Sequence, residues 1–292
     1  MTRAPDWNIE GRDWPNRAAS RFLEVGRLRW HVQLMGQGPA LVLLHGTGAA
    51  THSWRDLAPL LARTHSVVAM DLPGHGFTAM PARLADCSLP QVAHGVSELR
   101  RALDVSPVAL IGHSAGAAIA VRMALDGADL PQGIVGINAA LLPFPGLLGV
   151  WAPMLARTLF YNPATLGLFA HRASKRGAIE DLLRGTGSSL DERGVSLYER
   201  LFRTRGHLEG TVALMSYWDL NALQRELSRL QTPMTLIVGD KDRAVRPDTA
   251  QAVQRVVKHA RIVTARGNGH LAHEEAPAQV AAMVLAALHQ SE

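Results

Sequence analysis

The sequence predicts an α/β protein with a mostly parallel, doubly wound sheet and an inserted helical cap. Short apolar runs, typical of strands buried on both faces of a parallel sheet, alternate with segments of helical composition. One of these runs leads into a serine between glycines, and one long segment breaks the alternation. These three observations divide the chain into a core, residues 1–142 and 231–292, and a cap, residues 143–230.

The core elements follow from the apolar runs. A hairpin is predicted over residues 22–35, turning at Gly26, because β-type residues flank a glycine. The later runs predict strands at residues 41–44, 66–72, 108–113, 133–138, 234–239 and 261–265. Helices are predicted between the strands, among them residues 88–104 and 277–289. The first twenty residues are predicted to form an extended arm with three anchors on the main body: Trp7, Trp14 and Pro15.

The serine between glycines, Ser114, is the candidate nucleophile. The pattern Gly112-x-Ser114-x-Gly116 follows an apolar run and precedes an alanine-rich helical segment, which is the sequence form of a nucleophile elbow. In such an elbow the serine occupies a strained strand-to-helix turn, and glycines stand where the two backbones come too close for a Cβ atom. The N-terminus of the following helix also favours negative charge.

A serine hydroxyl becomes a strong nucleophile only when a base takes its proton and a third group orients that base. With an elbow of this kind, the expected order along the chain is Ser, then Asp or Glu, then His. Asp242 is the predicted acid because it lies in the loop after an apolar strand, whereas Asp240 is interpreted as a turn residue. His270 follows the last strand and is the predicted base.

The glycine-rich turn after the first parallel strand is predicted to form part of an oxyanion hole. In folds with this elbow, one N–H donor comes from that turn and another from the residue after the nucleophile. The candidate donors are therefore the amides of Thr47 and Ala115. His45 and His113, which stand beside these segments, are predicted to make structural hydrogen bonds.

Other chemistries fit the sequence less well. A dehalogenase-like enzyme would need an aspartate where Ser114 stands. The turn at residues 45–48 lacks the Lys-Ser/Thr of a phosphate loop and the longer glycine pattern of a dinucleotide site. His270, His273 and Glu274 superficially suggest zinc ligands, but their spacing is not H-E-x-x-H and His270 is assigned to the triad. The sequence therefore predicts no metal and no cofactor.

The predicted cap begins with an apolar, proline-rich stretch. Between Leu141 and Ala170 there is one charged residue, and prolines at this density exclude one continuous helix. Short apolar helices folded over the catalytic face are predicted instead, which indicates a large apolar substrate. Four residues are predicted to bind that substrate: Trp151, Arg157, Phe160 and Trp218.

Composition limits the location and the partners. A net charge of +5 and a pI of about 10.0 favour anionic partners, but the basic residues are scattered and no nucleic-acid motif accompanies them. The single cysteine, Cys87, excludes an internal disulfide and fits a reducing compartment. The first twenty residues lack an apolar signal region, and no apolar span approaches the ~18 residues needed to cross a bilayer. A cytoplasmic protein is predicted, and its basic charge and apolar cap permit attachment to a membrane surface.

Together the motifs resemble the α/β-hydrolase superfamily over nearly the whole chain. The matching residues are His45-Gly46, Asp71-Leu72-Pro73-Gly74-His75-Gly76, the elbow at Ser114, Gly239-x-x-Asp242 and Gly269-His270. Such a set is specific for the fold and much less so for the substrate. The resemblance implies the α/β-hydrolase fold and hydrolase chemistry at the candidate triad.

Further stretches resemble the BchO group of magnesium-chelatase accessory proteins from bacteria that make bacteriochlorophyll. They are Trp14-Pro15-Asn16-Arg17, residues 28–33, residues 45–54, residues 112–118, residues 138–144 and residues 270–275. This resemblance implies a role in bacteriochlorophyll synthesis near the magnesium-insertion step, in photosynthetic bacteria. It is compatible with magnesium-chelatase subunits as partners. It does not supply an established substrate, although the family context favours a tetrapyrrole or its ester.

Two functions remain open at this point. The first is an esterase-like serine hydrolase that acts on an apolar ester. The second is a non-catalytic or weakly catalytic porphyrin-binding accessory protein of magnesium chelatase, with an idle triad. The complete set of candidate residues favours hydrolysis, because an idle site has no physical need to keep nucleophile, base, acid and oxyanion glycines together.

Overall fold

The computed structural model describes residues 5–127, 131–143 and 177–289. The strands in these ranges are β1 (Ser20–Val25), β2 (Leu28–Met35), β3 (Ala40–Leu44), β4 (Ser66–Met70), β5 (Pro107–His113), β6 (Gly133–Ile137), β7 (Met234–Gly239) and β8 (Arg261–Ala265). They form one sheet in the order β1-β2-β4-β3-β5-β6-β7-β8. The hairpin β1–β2 is antiparallel, β2 pairs antiparallel with β4, and the remaining pairs are parallel.

Helices connect the strands. The α-helices of the described ranges are α1 (Leu57–Leu61), α2 (Leu89–Ala102), α3 (Ala115–Asp126), α4 (Ala178–Gly185), α5 (Glu192–Phe202), α6 (Arg205–Ser216), α7 (Leu220–Glu226), α8 (Pro247–Val256), α9 (Ala272–Glu275) and α10 (Pro277–His289). Short 3-10 helices occur at Arg17–Ala19, Thr51–Trp54, Leu84–Cys87 and Leu227–Arg229. None of the described helices has the length and apolar character needed to span a membrane.

The strand order confirms the predicted α/β fold class. β3 lies between β4 and β5, so the chain leaves β3 toward one side of the sheet and later returns on its other side. In open α/β sheets, ligand sites form at such a switch point, beside the carboxyl ends of the strands. The loops after β3, β5, β7 and β8 therefore meet at the edge where a site is expected.

The core has two layers because helices cover both faces of the sheet. On β3, Val42 and Leu44 belong to the hydrophobic cluster on one face, whereas Leu41 and Leu43 belong to the cluster on the other. All four side chains are fully buried. Burial on both faces explains why this strand is a continuous apolar run instead of an alternating one.

The predicted extended arm at the N-terminus is wrong in its conformation. Residues 7–13 form successive turns, followed by the 3-10 helix Arg17–Ala19. Trp14 is buried, and its indole nitrogen donates a hydrogen bond to Thr51 Oγ1 at 3.0 Å. Trp7 and Trp14 each pack edge-to-face against Phe77. Both tryptophan rings pack against the same residue, Phe77, although they are seven residues apart along the chain. A segment folded into turns brings both rings to Phe77, whereas an extended arm would hold them apart.

Helices α4 to α7 lie within the segment predicted as a cap. Tyr198 on α5 donates a hydrogen bond of 2.7 Å to Glu274, which lies beyond β8 and also pairs with buried Arg55. Burial raises the pKa of Glu274 to about 7, against the opposing effect of Arg55. Core and cap segments are thus joined by a buried polar network. The cap boundaries at residues 143 and 230 remain a prediction.

Candidate active site

The predicted elbow stands between β5 and α3. Ser114 separates the two elements, with φ 51° and ψ −115°, a conformation that few residues other than glycine adopt. Its amide donates a hydrogen bond of 3.0 Å to the carbonyl of Ile137 at the end of β6. Strain of this kind persists only where the surroundings hold it, and it is typical of functional sites.

The glycines of the elbow allow close backbone packing. A Cβ atom on Gly116 would lie 2.6 Å from the carbonyl carbon of Leu44. Gly116→Ala is therefore expected to destabilise the protein by about 1–3 kcal/mol or more, because the clash is with backbone that cannot rotate away. Thermal unfolding measures the effect. The matched control is Gly185→Ala, where no atom lies within 4 Å of the added Cβ atom. A Gly116→Ala variant that melts with the wild type would contradict this packing argument.

The predicted oxyanion donors, Thr47 and Ala115, belong to two segments that meet at Ser114. Ala115 is the first residue of α3, so its amide has no acceptor within the helix. Thr47 follows Gly46, and a Cβ atom on Gly46 would lie 3.1 Å from the Cβ atom of Ser114. Among the described residues, neither amide donates to a backbone carbonyl. Two free amides beside a hydroxyl are suited to stabilise a developing oxyanion.

The structure brings Asp242, and not Asp240, to His270. Asp242 Oδ2 lies 2.8 Å from His270 Nδ1, and the Asp242 side chain is fully buried. Its other oxygen accepts hydrogen bonds from the amides of Ala244 and Val245 at 2.8 and 2.9 Å. Asp240 is exposed and accepts from the amide of Gly267 at 2.7 Å.

This pairing determines how His270 can act. Because Nδ1 faces a carboxylate, the proton of the neutral imidazole is placed on Nδ1, and Nε2 keeps its lone pair. An imidazole with a free Nε2, held by a buried carboxylate, is the arrangement of a general base.

Two side chains hydrogen-bond to the backbone carbonyl of His270. Its carbonyl accepts hydrogen bonds of 2.8 Å from His113 Nε2 and from Asn138 Nδ2. Burial lowers the pKa of His113 well below its ordinary value, so the ring is neutral with its proton on Nε2. The sequence predicts Asn138 only as the end of a strand. A signal was present, because this polar residue directly follows an apolar strand at the edge that carries the other site residues.

His45 supports the loop after β3. Its Nδ1 donates to the carbonyl of Gly46 at 2.8 Å, and its Nε2 accepts from the amide of Leu72 at 2.9 Å. Burial lowers its pKa, which keeps the ring neutral and suited to both bonds. His45 and His113 thus both make structural hydrogen bonds, as the sequence led us to expect.

The predicted substrate-binding residues are less well placed. Trp151, Arg157 and Phe160 lie outside the described residues. Trp218 is half-buried and packs against the hydrophobic cluster that includes α3. Substrate binding by these four residues remains a prediction. The described residues contain no cluster of three or more side chains that could ligate a metal ion.

Residues 39–277 match the alpha/beta hydrolase fold family. The chain belongs to the α/β-hydrolase family. This α/β hydrolase is 40% identical over 275 residues to the magnesium-chelatase 30 kDa subunit of Rhodobacter capsulatus, a match that covers 94% of this chain and 95% of that protein. The expected likeness to magnesium-chelatase proteins is therefore confirmed.

Two further α/β hydrolases show the breadth of the likeness. The pimeloyl-[acyl-carrier protein] methyl ester esterase of Methylococcus capsulatus is 29% identical over 236 residues, covering 77% of this chain and 85% of that protein. The structure of the epoxide hydrolase CorEH is similar with a TM-score of 0.78 at 22% identity, covering 94% of this chain and 99% of that chain. At that identity the second match shows the fold alone.

Proposed function

We propose that this α/β hydrolase is a serine hydrolase of esters or related acyl compounds, with Ser114 as nucleophile, His270 as base and Asp242 as the group that orients the base. The 2.8 Å hydrogen bond between Asp242 and His270 Nδ1 carries the proposal. It selects the tautomer whose Nε2 can accept a proton. The strained turn of Ser114 supports the assignment, because it presents a hydroxyl at the same edge of the sheet.

The reaction proceeds in two steps, acylation of Ser114 and hydrolysis of the acyl-enzyme. His270 Nε2 takes the proton of Ser114 Oγ as that oxygen bonds to the acyl carbon, and the amides of Thr47 and Ala115 bind the resulting oxyanion. When the ester bond breaks, His270 returns the proton to the leaving alcohol, and the acyl group stays on Ser114. A water molecule then gives a proton to His270 and its oxygen to the acyl carbon. The bond between Ser114 Oγ and the acyl carbon then breaks, His270 returns the proton to Ser114 Oγ, and the acid leaves.

We place this hydrolase in bacteriochlorophyll biosynthesis, near the magnesium-chelatase step. The 40% identity to a magnesium-chelatase 30 kDa subunit, over nearly the whole of both chains, supports this placement. A tetrapyrrole ester is the substrate we favour, and chelatase subunits are the partners. A basic pI is compatible with contact to a membrane surface.

The proposal is tested with a fluorophosphonate probe, which traps an activated serine. Intact mass is expected to show one covalent adduct on the wild type, and peptide mapping is expected to place that adduct on Ser114. The adduct is expected to be absent from Ser114→Ala and from His270→Ala, because one lacks the nucleophile and the other lacks the base.

Tetrapyrrole esters are the first compounds to screen once labelling is seen. A folded wild type that takes no label would contradict the hydrolase proposal. Tight porphyrin binding by that unlabelled protein would instead favour the accessory role in magnesium chelatase.

A further inference from the structure

Asn138 makes hydrogen bonds through both ends of its side-chain amide. Its Nδ2 donates to the carbonyls of Gly269 at 2.9 Å and of His270 at 2.8 Å. Its Oδ1 accepts from the amide of Gly239 at 2.7 Å. The residue is 2% exposed and has φ 45°, a left-handed conformation that asparagine tolerates better than most residues.

These three bonds join two separate loops. Gly239 ends β7 and begins the loop that carries Asp242, and the amide of Asp242 itself donates to the Gly239 carbonyl at 3.2 Å. Gly269 and His270 lie in the loop after β8. Asn138 follows β6, so its side chain reaches across the end of β7 to the loop beyond β8. Asn138 therefore bonds both to the loop that carries the acid, Asp242, and to the backbone of the base, His270.

Both loops contain glycine. Gly239, Gly267 and Gly269 make their backbone more flexible than that of other residues. Beyond the strand ends, two hydrogen bonds link the loops: the amide of Lys241 donates to the carbonyl of Asn268 at 2.9 Å, and the amide of Gly267 donates to Asp240 Oδ1 at 2.7 Å. Neither bond involves Gly239 or His270, which Asn138 joins. A displacement of about 1 Å within a catalytic pair can cost on the order of 10²-fold in rate.

We infer that Asn138 is a positioning residue, whose amide holds the Asp242 loop and the His270 loop at the separation that their hydrogen bond requires. The inference rests on the proposed function, because it assigns a purpose to the geometry of the same site. An amide is suited to the position since one planar group supplies two donors and one acceptor. Aspartate keeps only the acceptor for Gly239, and apolar side chains keep neither.

The test compares two asparagines that share a left-handed backbone. Asn138→Gly removes the side chain without adding strain at positive φ. Asn16→Gly is the matched control, because Asn16 has φ 55° and its Nδ2 donates to the carbonyl of Arg55 at 3.1 Å. We expect Asn138→Gly to slow fluorophosphonate labelling of Ser114 by roughly 10- to 100-fold. Asn16→Gly is expected to label at the wild-type rate.

A second variant separates positioning from folding. Asn138→Asp keeps the shape and the acceptor toward Gly239 but removes the donors to Gly269 and His270. We expect it to slow labelling comparably while circular dichroism stays that of the wild type. With an ester substrate, kcat is expected to fall and KM to stay within about twofold, because a misplaced acid–base pair affects chemistry more than binding.

Proton NMR provides a readout that does not depend on a reactive serine. The His270 Nδ1 proton is expected to give a downfield resonance in the wild type and to be absent in Asp242→Asn. It should move or broaden in Asn138→Gly and in Asn138→Asp, and remain unchanged in Asn16→Gly. Wild-type labelling rates and an unmoved resonance in folded Asn138 variants would overturn the inference and leave the proposed function standing. An unlabelled wild type would overturn the proposed function alone, and the resonance would still test Asn138.

Discussion

Asp242→Asn is expected to lower the turnover of an ester substrate by about 10⁴-fold. An amide at this position turns a donor toward His270 Nδ1, which forces the ring proton onto Nε2 and removes the lone pair that would accept the serine proton. The fold is expected to survive, because the remaining oxygen still accepts from the amides of Ala244 and Val245. Steady-state kinetics on the best substrate found in the screen measures the loss.

Asp240→Asn is the control for this prediction. Asp240 lies two residues earlier in the same loop, is exposed and accepts from the amide of Gly267. An exposed substitution of this kind changes free energies by about 0.5 kcal/mol or less, so we expect turnover within about twofold of the wild type. Equal losses in the two variants would mean that the loop as a whole matters, and not the carboxylate beside His270.

The second large effect is a steep loss of stability in acid. Burial lowers the pKa of several described histidines, to about 4 for His207 and to about 3 for His273. Burial likewise lowers the pKa of His45, His52, His75 and His113. These imidazoles are neutral in the folded protein, and their protonation favours unfolding.

The sign follows from proton binding. Unfolded histidines have a pKa of about 6.5, so below that pH the unfolded chain binds protons that the folded chain does not. The stability from each buried histidine is complete above about pH 6.5 and falls by up to ~1.4 kcal/mol per pH unit until the folded pKa is reached. Glu274 acts in the opposite direction, since its pKa is raised to about 7. Six histidines outweigh one carboxyl, so we expect stability to fall steeply as the pH drops below about 6.5.

His273 offers a test of this account. Its ring is fully buried between Trp54 and His113, with centroid distances of 4.6 and 4.4 Å, and neither nitrogen has a hydrogen-bond partner among the described residues. His273→Phe is therefore expected to reduce the slope of unfolding free energy against pH by about 1.4 kcal/mol per unit between about pH 6 and 4. Urea unfolding at several pH values measures that slope.

The control for the slope is His94→Gln. The His94 side chain is 62% exposed on α2 and lies 3.6 Å from Glu98, and replacing it is expected to change the slope less than His273→Phe, because an exposed ring is hydrated in the folded chain too. The slope is the quantity to compare, because the larger phenyl ring can change the absolute stability through packing. A His273→Phe slope equal to that of the wild type would contradict the assignment of a buried neutral imidazole.

Local signals in the sequence determined the fold class and the principal candidates. Apolar runs such as residues 41–44 mark strands because burial on both faces acts on neighbouring residues. The elbow at Ser114 is readable because a strand, a strained turn and a helix follow one another within a few residues. The positions of Asp242 and His270 after strands predict them as acid and base, and their catalytic roles stay predictions.

Only the tertiary structure decided which side chains meet. Asn138 lies 101 residues from Gly239 and 132 from His270 along the chain, so no local spacing could show that it joins their loops. The turns of the N-terminal segment likewise depend on Phe77, a partner distant in sequence. Periodicity reports which face of an element is buried, because burial acts along that element. Hydrogen bonds between loops depend on where the sheet brings strand ends together, and that information appears only when the chain is folded.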